Sequence, residues 1–352
     1  MSTPKRIVGI LIVLMVGEMA WADGRLGRCG RLRGAICRCR FFPRIVERRC
    51  SPSPCPSTFE EWVWLRWKFE VGKPFYQEIT TETTQDTKVM GKNSTQSQKV
   101  TFYLSWNPVK QDEDGNWIVK QKIEGLKMEN EIGGKPVTFD STQKGAGAQP
   151  LSDFYNSLVG SEFTLTIDKN MRITKIEGRD EFLKKLVKEN PRSEPLLRIM
   201  LTDEALKQMS DPAFSVIPGK PVSRGDIWEK KASLDTGPIG SFDTNYKYTY
   251  EGRAESRLQR IKVNTTLKYN PPDPNTGGTL PFKIVKGDLN SKESSGNILF
   301  DSAKGRMVKS DMTLRLSGTL TISIGGMASE VTLDQTQTTK IRMMDDNPIG
   351  QK

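Results

Sequence analysis

Most of the chain alternates apolar and polar residues with the two-residue period of a half-buried strand. Val100, Phe102, Leu104 and Trp106 share one face of an extended segment, and Thr101, Tyr103 and Ser105 share the other. Residues 111–116, rich in Asp, Gly and Asn, then turn the chain into the segment from Trp117 to Ile123, which predicts a hairpin. Phe163, Leu165 and Ile167 alternate before a turn at Lys169 and Asn170, with a return strand through Ile173. The pattern recurs at Tyr246, Tyr248 and Tyr250, at Ile261, Val263 and Leu267, and at Met312, Leu314 and Leu316. About ten or more strands are expected.

One stretch, residues 179–212, changes period. Asp180 is placed to cap a helix whose Phe182, Leu183, Leu186 and Val187 form a stripe, and Asn190-Pro191 ends it. A second run, Ser193 to Met209, has Pro195 in its first turn and Leu196, Ile199, Met200, Leu206 and Met209 available for burial. The expected fold is mainly β: two β-rich halves, residues 59–178 and 213–341, of strongly curved antiparallel sheet resembling an open barrel. The helical insert lies between them and residues 342–352 form a flexible tail. Phe163 to Asp168 followed by Arg172, and Ile298 to Asp301 followed by Arg306, each read as strand, acidic turn and basic return. That is compatible with an internal duplication and equally with chance likeness between hairpins.

The N-terminus departs from this pattern. Lys5 and Arg6, the apolar run from Ile7 to Val16, and Ala20-Trp21-Ala22 before Asp23 are the three parts of a secretory signal peptide over residues 1–22. Glu18 stops the run well short of the roughly 20 apolar residues that span a bilayer. The expectation is an exported protein, periplasmic or secreted, soluble after cleavage. Residues 23–58 then read as a disordered Arg/Cys/Pro-rich segment, and they change how the net charge of +11 is understood. Lys5, Arg6 and the arginines from Arg25 to Arg49 stand against only Glu18, Asp23 and Glu47, so most of the excess lies ahead of the β-rich body. Nucleic acid is therefore not expected to bind the body. Arg25, Arg28, Arg31, Arg33, Arg38 and Arg40 are candidates to dock on an anionic envelope surface, against the simpler reading of a solvated tether.

Cys29, Cys37, Cys39, Cys50 and Cys55 all lie in the same segment, an odd number that leaves at least one thiol unpaired within a monomer. The chain contains no histidine. That removes Ser-His-Asp and Cys-His mechanisms and histidine-ligated metals. A carboxylate pair could still hydrolyse a glycoside. Asp112, Asp114 and Asn116 open like a calcium loop, but Ile123 stands where the bidentate glutamate belongs, so a hairpin turn is the better reading. The glycine pairs fit no phosphate-binding motif. Trp62, Trp64 and Trp67 could stack on sugars or bases, yet Trp62 and Trp64 at period two suit packing in a first strand. Asn93-Ser-Thr95 and Asn264-Thr-Thr266 are glycosylation sequons, relevant only in a eukaryotic secretory pathway.

The stretch from Ile217 to Trp228 (IPGKPVSRGDIW), with residues 300–306 (FDSAKGR) after it and Trp106 to Gly115 before it, resembles a family of exported bacterial proteins of unknown function. The resemblance implies a signal peptide followed by a domain from about Leu65 to Ile341. At the level of pattern the chain also resembles the open β-barrels of periplasmic lipoprotein carriers. The Arg/Cys-rich segment departs from the family. No catalytic, cofactor-binding or metal-ligating residue is assigned, and no cofactor is implied. The expected function is a non-enzymatic envelope protein, of binding or structural kind, with an apolar or lipid ligand held in its curved sheet; the alternative is a carboxylate-dependent hydrolase of envelope polysaccharide.

Overall fold

The computed structural model describes residues 62–349, apart from 133–134, 144–151, 190, 192–193, 211–213, 215, 255–256, 274–281 and 293. The expected signal peptide, residues 1–22, and the expected disordered segment, residues 23–58, lie outside the described residues. Thirteen strands make one antiparallel sheet: β1 (Phe75–Val89), β2 (Lys92–Gln111), β3 (Trp117–Ile132), β4 (Lys135–Asp140), β5 (Glu162–Ile167), β6 (Ile173–Glu177), β7 (Ile227–Asp235), β8 (Ser241–Arg253), β9 (Gln259–Asn270), β10 (Lys283–Ser291), β11 (Ser294–Asp301), β12 (Arg306–Ile324) and β13 (Met327–Met344). The helices are α1 (Ser152–Leu158), α2 (Arg179–Glu189), α3 (Glu194–Met200) and α4 (Asp203–Ser210).

The sheet order is β6-β5-β3-β2-β1-β13-β12-β10-β9-β8-β7, with β4 beside β3 and β11 between β12 and β9. The two β-rich halves are thus one sheet, joined where β1 pairs with β13 from Tyr76–Met344 to Val89–Val331. β2 has 20 residues and β12 has 19, so the central strands are about 60–65 Å long, well beyond the usual strand. Register shifts at Tyr103/Leu104, Pro108/Lys110 and Tyr250/Gly252 mark bulges, which bend strands and strengthen twist. Pro108 lies beyond the last β1 pair, Phe75–Trp106, at one of these bulges, where its missing N–H is tolerated.

Curvature brings the ends of the sheet together without closing a barrel. α4 packs against β6 and β7, the first and last strands of the order. One apolar core accordingly joins Phe163, Ile173 and Ile176 of the first half to Tyr248, Val263 and Phe300 of the second. α2 lays Phe182 edge-on to Phe163, ring centroids 5.1 Å apart. It starts at Arg179, one residue ahead of the predicted cap, with Asp180 and Glu181 in the turn where the helix dipole favours acids. The predicted second helix is split at Leu201-Thr202, because the Thr202 hydroxyl accepts from the Ala205 N–H and starts α4 afresh. α1 falls in the first β-rich half, where no helix was expected.

The tryptophan expectation is corrected. Residues 62–69 form an extended strap, but Leu65, Trp67 and Phe69 face the core while Trp62 and Trp64 are exposed, with the Arg66 guanidinium 3.5 Å over the Trp64 ring. The odd-numbered face is apolar throughout (Val63, Leu65, Trp67, Phe69), whereas the other carries Arg66 and Lys68 after its two tryptophans, so the longer alternation favours the face that is buried. Backbone hydrogen bonds hold the strap in place. Val63 exchanges two backbone bonds of 2.9 Å with Val222, and the Lys68 N–H donates to Gly305 O at 2.8 Å. The two loops gripping the strap are those of the motifs at 217–228 and 300–306. In the first, Asp226 accepts from the Ser223 N–H and the Trp228 indole donates to Val216 O. In the second, Asp301 accepts from the N–H groups of Ala303 and Lys304.

Candidate binding site: a polar belt inside an apolar sheet

Odd-numbered residues of β1 and β13 and even-numbered residues of β12 point to the concave face. Along β13 that face reads Val331, Leu333, Gln335, Gln337, Thr339, Ile341, Met343, all buried. The two apolar ends belong to separate clusters. One holds Trp67, Trp106, Phe214, Phe300 and Met343; the other holds Phe242, Leu267, Leu320, Ile322, Val331 and Leu333. Between them lies a belt of buried polar side chains: Gln98 on β2, Thr83 and Gln85 on β1, Gln335, Gln337 and Thr339 on β13, Ser294 on β11, Thr265 on β9 and Thr244 on β8. The register aligns Gln98–Thr83–Gln337–Leu314 and, one row on, Gln96–Gln85–Gln335–Leu316. β12 crosses the belt with the apolar side chains of Leu314 and Leu316, and further along Leu267 stands opposite Thr244 and Tyr246 opposite Thr265.

Some members have at least one partner within the fold. The Ser294 hydroxyl donates to Lys292 O and accepts from the Arg315 N–H, and the Gln337 amide reaches the Thr339 hydroxyl at 3.3 Å. Elsewhere in the interior, buried glutamines have partners: Gln77 accepts from the Trp106 indole at 2.8 Å, Gln121 from the Ser210 hydroxyl, and Gln259 from the Tyr250 hydroxyl. Gln85 and Gln335 differ. Each is 1 % exposed, they stand opposite each other across β1 and β13, and neither amide oxygen nor amide nitrogen of either has a hydrogen-bond partner. A buried polar group left unpaired costs about 1–3 kcal/mol, and an amide carries both a donor and an acceptor. Two facing amides thus present four unmet hydrogen-bonding atoms in a wall that is otherwise threonine, glutamine and hydrocarbon.

The belt contains no Lys, Arg, Asp or Glu. The most buried acid among the described residues, Asp168, is fully engaged in the β5–β6 turn. It accepts from the N–H groups of Asn170 and Arg172 and from the Arg172 guanidinium at 2.7 and 2.9 Å. Burial pushes its carboxyl upward, but these donors outweigh burial and hold it below the ordinary carboxylate value. Asp112, the first residue of the calcium-like stretch, accepts from the Asn116 N–H and side-chain amide, closing the β2–β3 turn. Among the described residues no three Cys, Asp or Glu side chains are grouped as a metal site.

Sequence reasoning placed no residue in the belt, because glutamine and threonine on a strand read as a solvated face. The available signal was parity: Gln335, Gln337 and Thr339 fall in the same register as the apolar residues on either side of them.

The fold and belt define a class: an open, antiparallel, strongly curved β-sheet with a buried polar girdle. Residues 114–347 match the family of unknown function DUF6263, and the chain belongs to that family. No curated protein sequence matches it. Among solved structures, a lipovitellin described for its lipid–protein interactions is similar over 81% of this chain at 11% identity and a TM-score of 0.41, and the chain spans 27% of that protein. DynF of Micromonospora chersina is similar at 8% identity and a TM-score of 0.17, over 86% of this chain and 92% of DynF. The OccK7 protein of Pseudomonas aeruginosa is similar at 9% identity and a TM-score of 0.20, over 78% of this chain and 99% of OccK7. None of these likenesses is strong enough to carry an argument about this chain.

Proposed function

We propose that this protein is an exported, non-enzymatic binding protein that holds a neutral amphiphile against the concave face of its sheet. The observation that carries the reading is the facing, unpartnered amide pair Gln85 and Gln335 between two apolar surfaces. A ligand that pairs with these amides must itself offer hydrogen-bonding atoms, and one that lies on the flanking clusters must carry hydrocarbon. The absence of charge in the belt disfavours an ionised headgroup there, because burying an ion without a counter-charge is expensive. Ester or amide carbonyls and hydroxyls joined to acyl chains fit all three conditions. The signal-peptide pattern ahead of Asp23 supports an envelope or extracellular location.

Native mass spectrometry of protein purified from its own cells tests the reading, with solvent extraction to identify what is bound. Wild-type protein is expected to retain a neutral acyl amphiphile, and the double variant Gln85→Leu/Gln335→Leu to lose it. The same variant is expected to be more stable towards urea, by about 1–3 kcal/mol, since unpaired buried amides are replaced by hydrocarbon of similar size. Wild-type protein with nothing bound, or a variant that retains the ligand equally well, would overturn the proposal.

A further inference from the structure

Beyond cargo binding, we infer that the end of the sheet bearing the β12–β13 turn docks on an anionic lipid bilayer. This hairpin overshoots β1 and β2 on one side, while on the other β10 accompanies it as far as the Lys283–Ser323 pair. The last β1–β13 pair is Val89–Val331, whereas β12 and β13 stay paired to Ile324–Met327, so the tip stands about 13 Å beyond the β1–β2 turn. Its turn is Gly325-Gly326, with φ of 58° and 87°, a conformation that glycine adopts without strain. Facing each other across that turn are two large apolar residues left in water, Met327 at 69 % exposure and Ile324 at 37 %. Val285 is exposed beside them, at the bulge that opens β10. Met90 is exposed on the shoulder formed by the β1–β2 turn.

Charge completes the pattern. Lys283 pairs in register with Ser323 and Lys286 with Thr321, putting two exposed lysines just behind the tip. Lys88 and Lys92 flank Met90 in the same way. None of the four is in an ion pair among the described residues. The acids nearby are Glu330, exposed and one strand away from Lys286 in the Thr321 row, Asp86, which accepts from the Thr95 hydroxyl, and Asp288, further down β10. Apolar side chains at a projecting turn with unpaired lysines behind them match a bilayer interface whose headgroups are negative. A protein surface would not require this separation of apolar tip from cationic collar.

The test is sedimentation of the full chain with vesicles of phosphatidylcholine alone or mixed with phosphatidylglycerol. Wild-type protein is expected to pellet with the anionic vesicles and to be released by salt. Ile324→Ser/Met327→Ser and Lys283→Glu/Lys286→Glu are each expected to bind about fivefold more weakly or worse, while melting like wild type and keeping any bound amphiphile. Retained cargo separates failure of this inference from failure of the proposed function. If wild-type protein stays in the supernatant, binds neutral vesicles equally, or is matched by both variants, the inference is wrong; the last result would assign binding to the arginine-rich segment.

Discussion

Gln85 and Gln335 set the residue-scale problem, because they are buried beside Thr83 on β1 and Leu333 and Gln337 on β13 yet lack hydrogen-bond partners. Asp168 is their counterpart in a satisfied state. Its carboxylate accepts four hydrogen bonds and is held below the ordinary value of 3.8. A group with a depressed folded pKa adds stability that is present above the unfolded value and is lost as pH falls through the folded one. Asp168→Asn is therefore expected to cost about 1–3 kcal/mol near neutral pH, and urea titrations should show the gap to wild type closing as pH drops below 3.8. The residues of the β5–β6 turn were legible in sequence, since an acid, two turn residues and an arginine announce a hairpin. The belt was not, because a buried glutamine has the same letter as an exposed one. Only its place among Val331, Leu333, Ile341 and Met343 distinguishes it. Trp62 and Trp64 are the opposite case: they are apolar but share their face with Arg66 and Lys68 and stay in water, while Trp67 on the other face packs on Phe75 nearby and on Phe214 and Phe300 from far along the chain.

At the scale of elements, alternation located most of the strands and the β2–β3 and β5–β6 hairpins, and the change to a helical stripe located the insert, because local period is set by local geometry. Strand order was beyond it, since pairing depends on which chain segments meet in space. The hairpins at 163–172 and 298–306, alike in sequence, occupy different places: β5–β6 ends the sheet, whereas β11 runs inside it between β9 and β12. Close strand approach can be tested at Gly318. A Cβ there would lie 1.9 Å from the Asp288 carbonyl oxygen, and φ is 152°. Gly318→Ala is expected to force β10 from β12 at a cost of about 1–3 kcal/mol, visible as a lowered melting temperature. Because Gly318 lies on the Leu320–Ile322 side of the belt, faster amide exchange should be concentrated in β10.

Across the whole molecule, the strap, the two motif loops and the helical insert close what thirteen strands leave open. Trp67 meets Phe214 at 5.0 Å and Phe300 at 6.0 Å, between residues drawn from distant parts of the chain. Trp67→Ala is expected to destabilise the fold by about 3–5 kcal/mol in denaturant titrations. Losing the strap should loosen both motif loops together, because Val222 and Gly305 grip the same segment.

The seam between β1 and β13 has a temporal consequence. Tyr76 finds its partner at Met344, almost the full length of the described chain away, and pairings of such high contact order form slowly. A ribosome must release the chain from Tyr76 through Met344 before the middle of the sheet can zip. Until then β1 and β12 both present bare edges, the kind of template on which chains aggregate. The hairpins on either side can form from local sequence, but the middle of the sheet stays open to pairing with other chains until β13 fills the gap between β1 and β12.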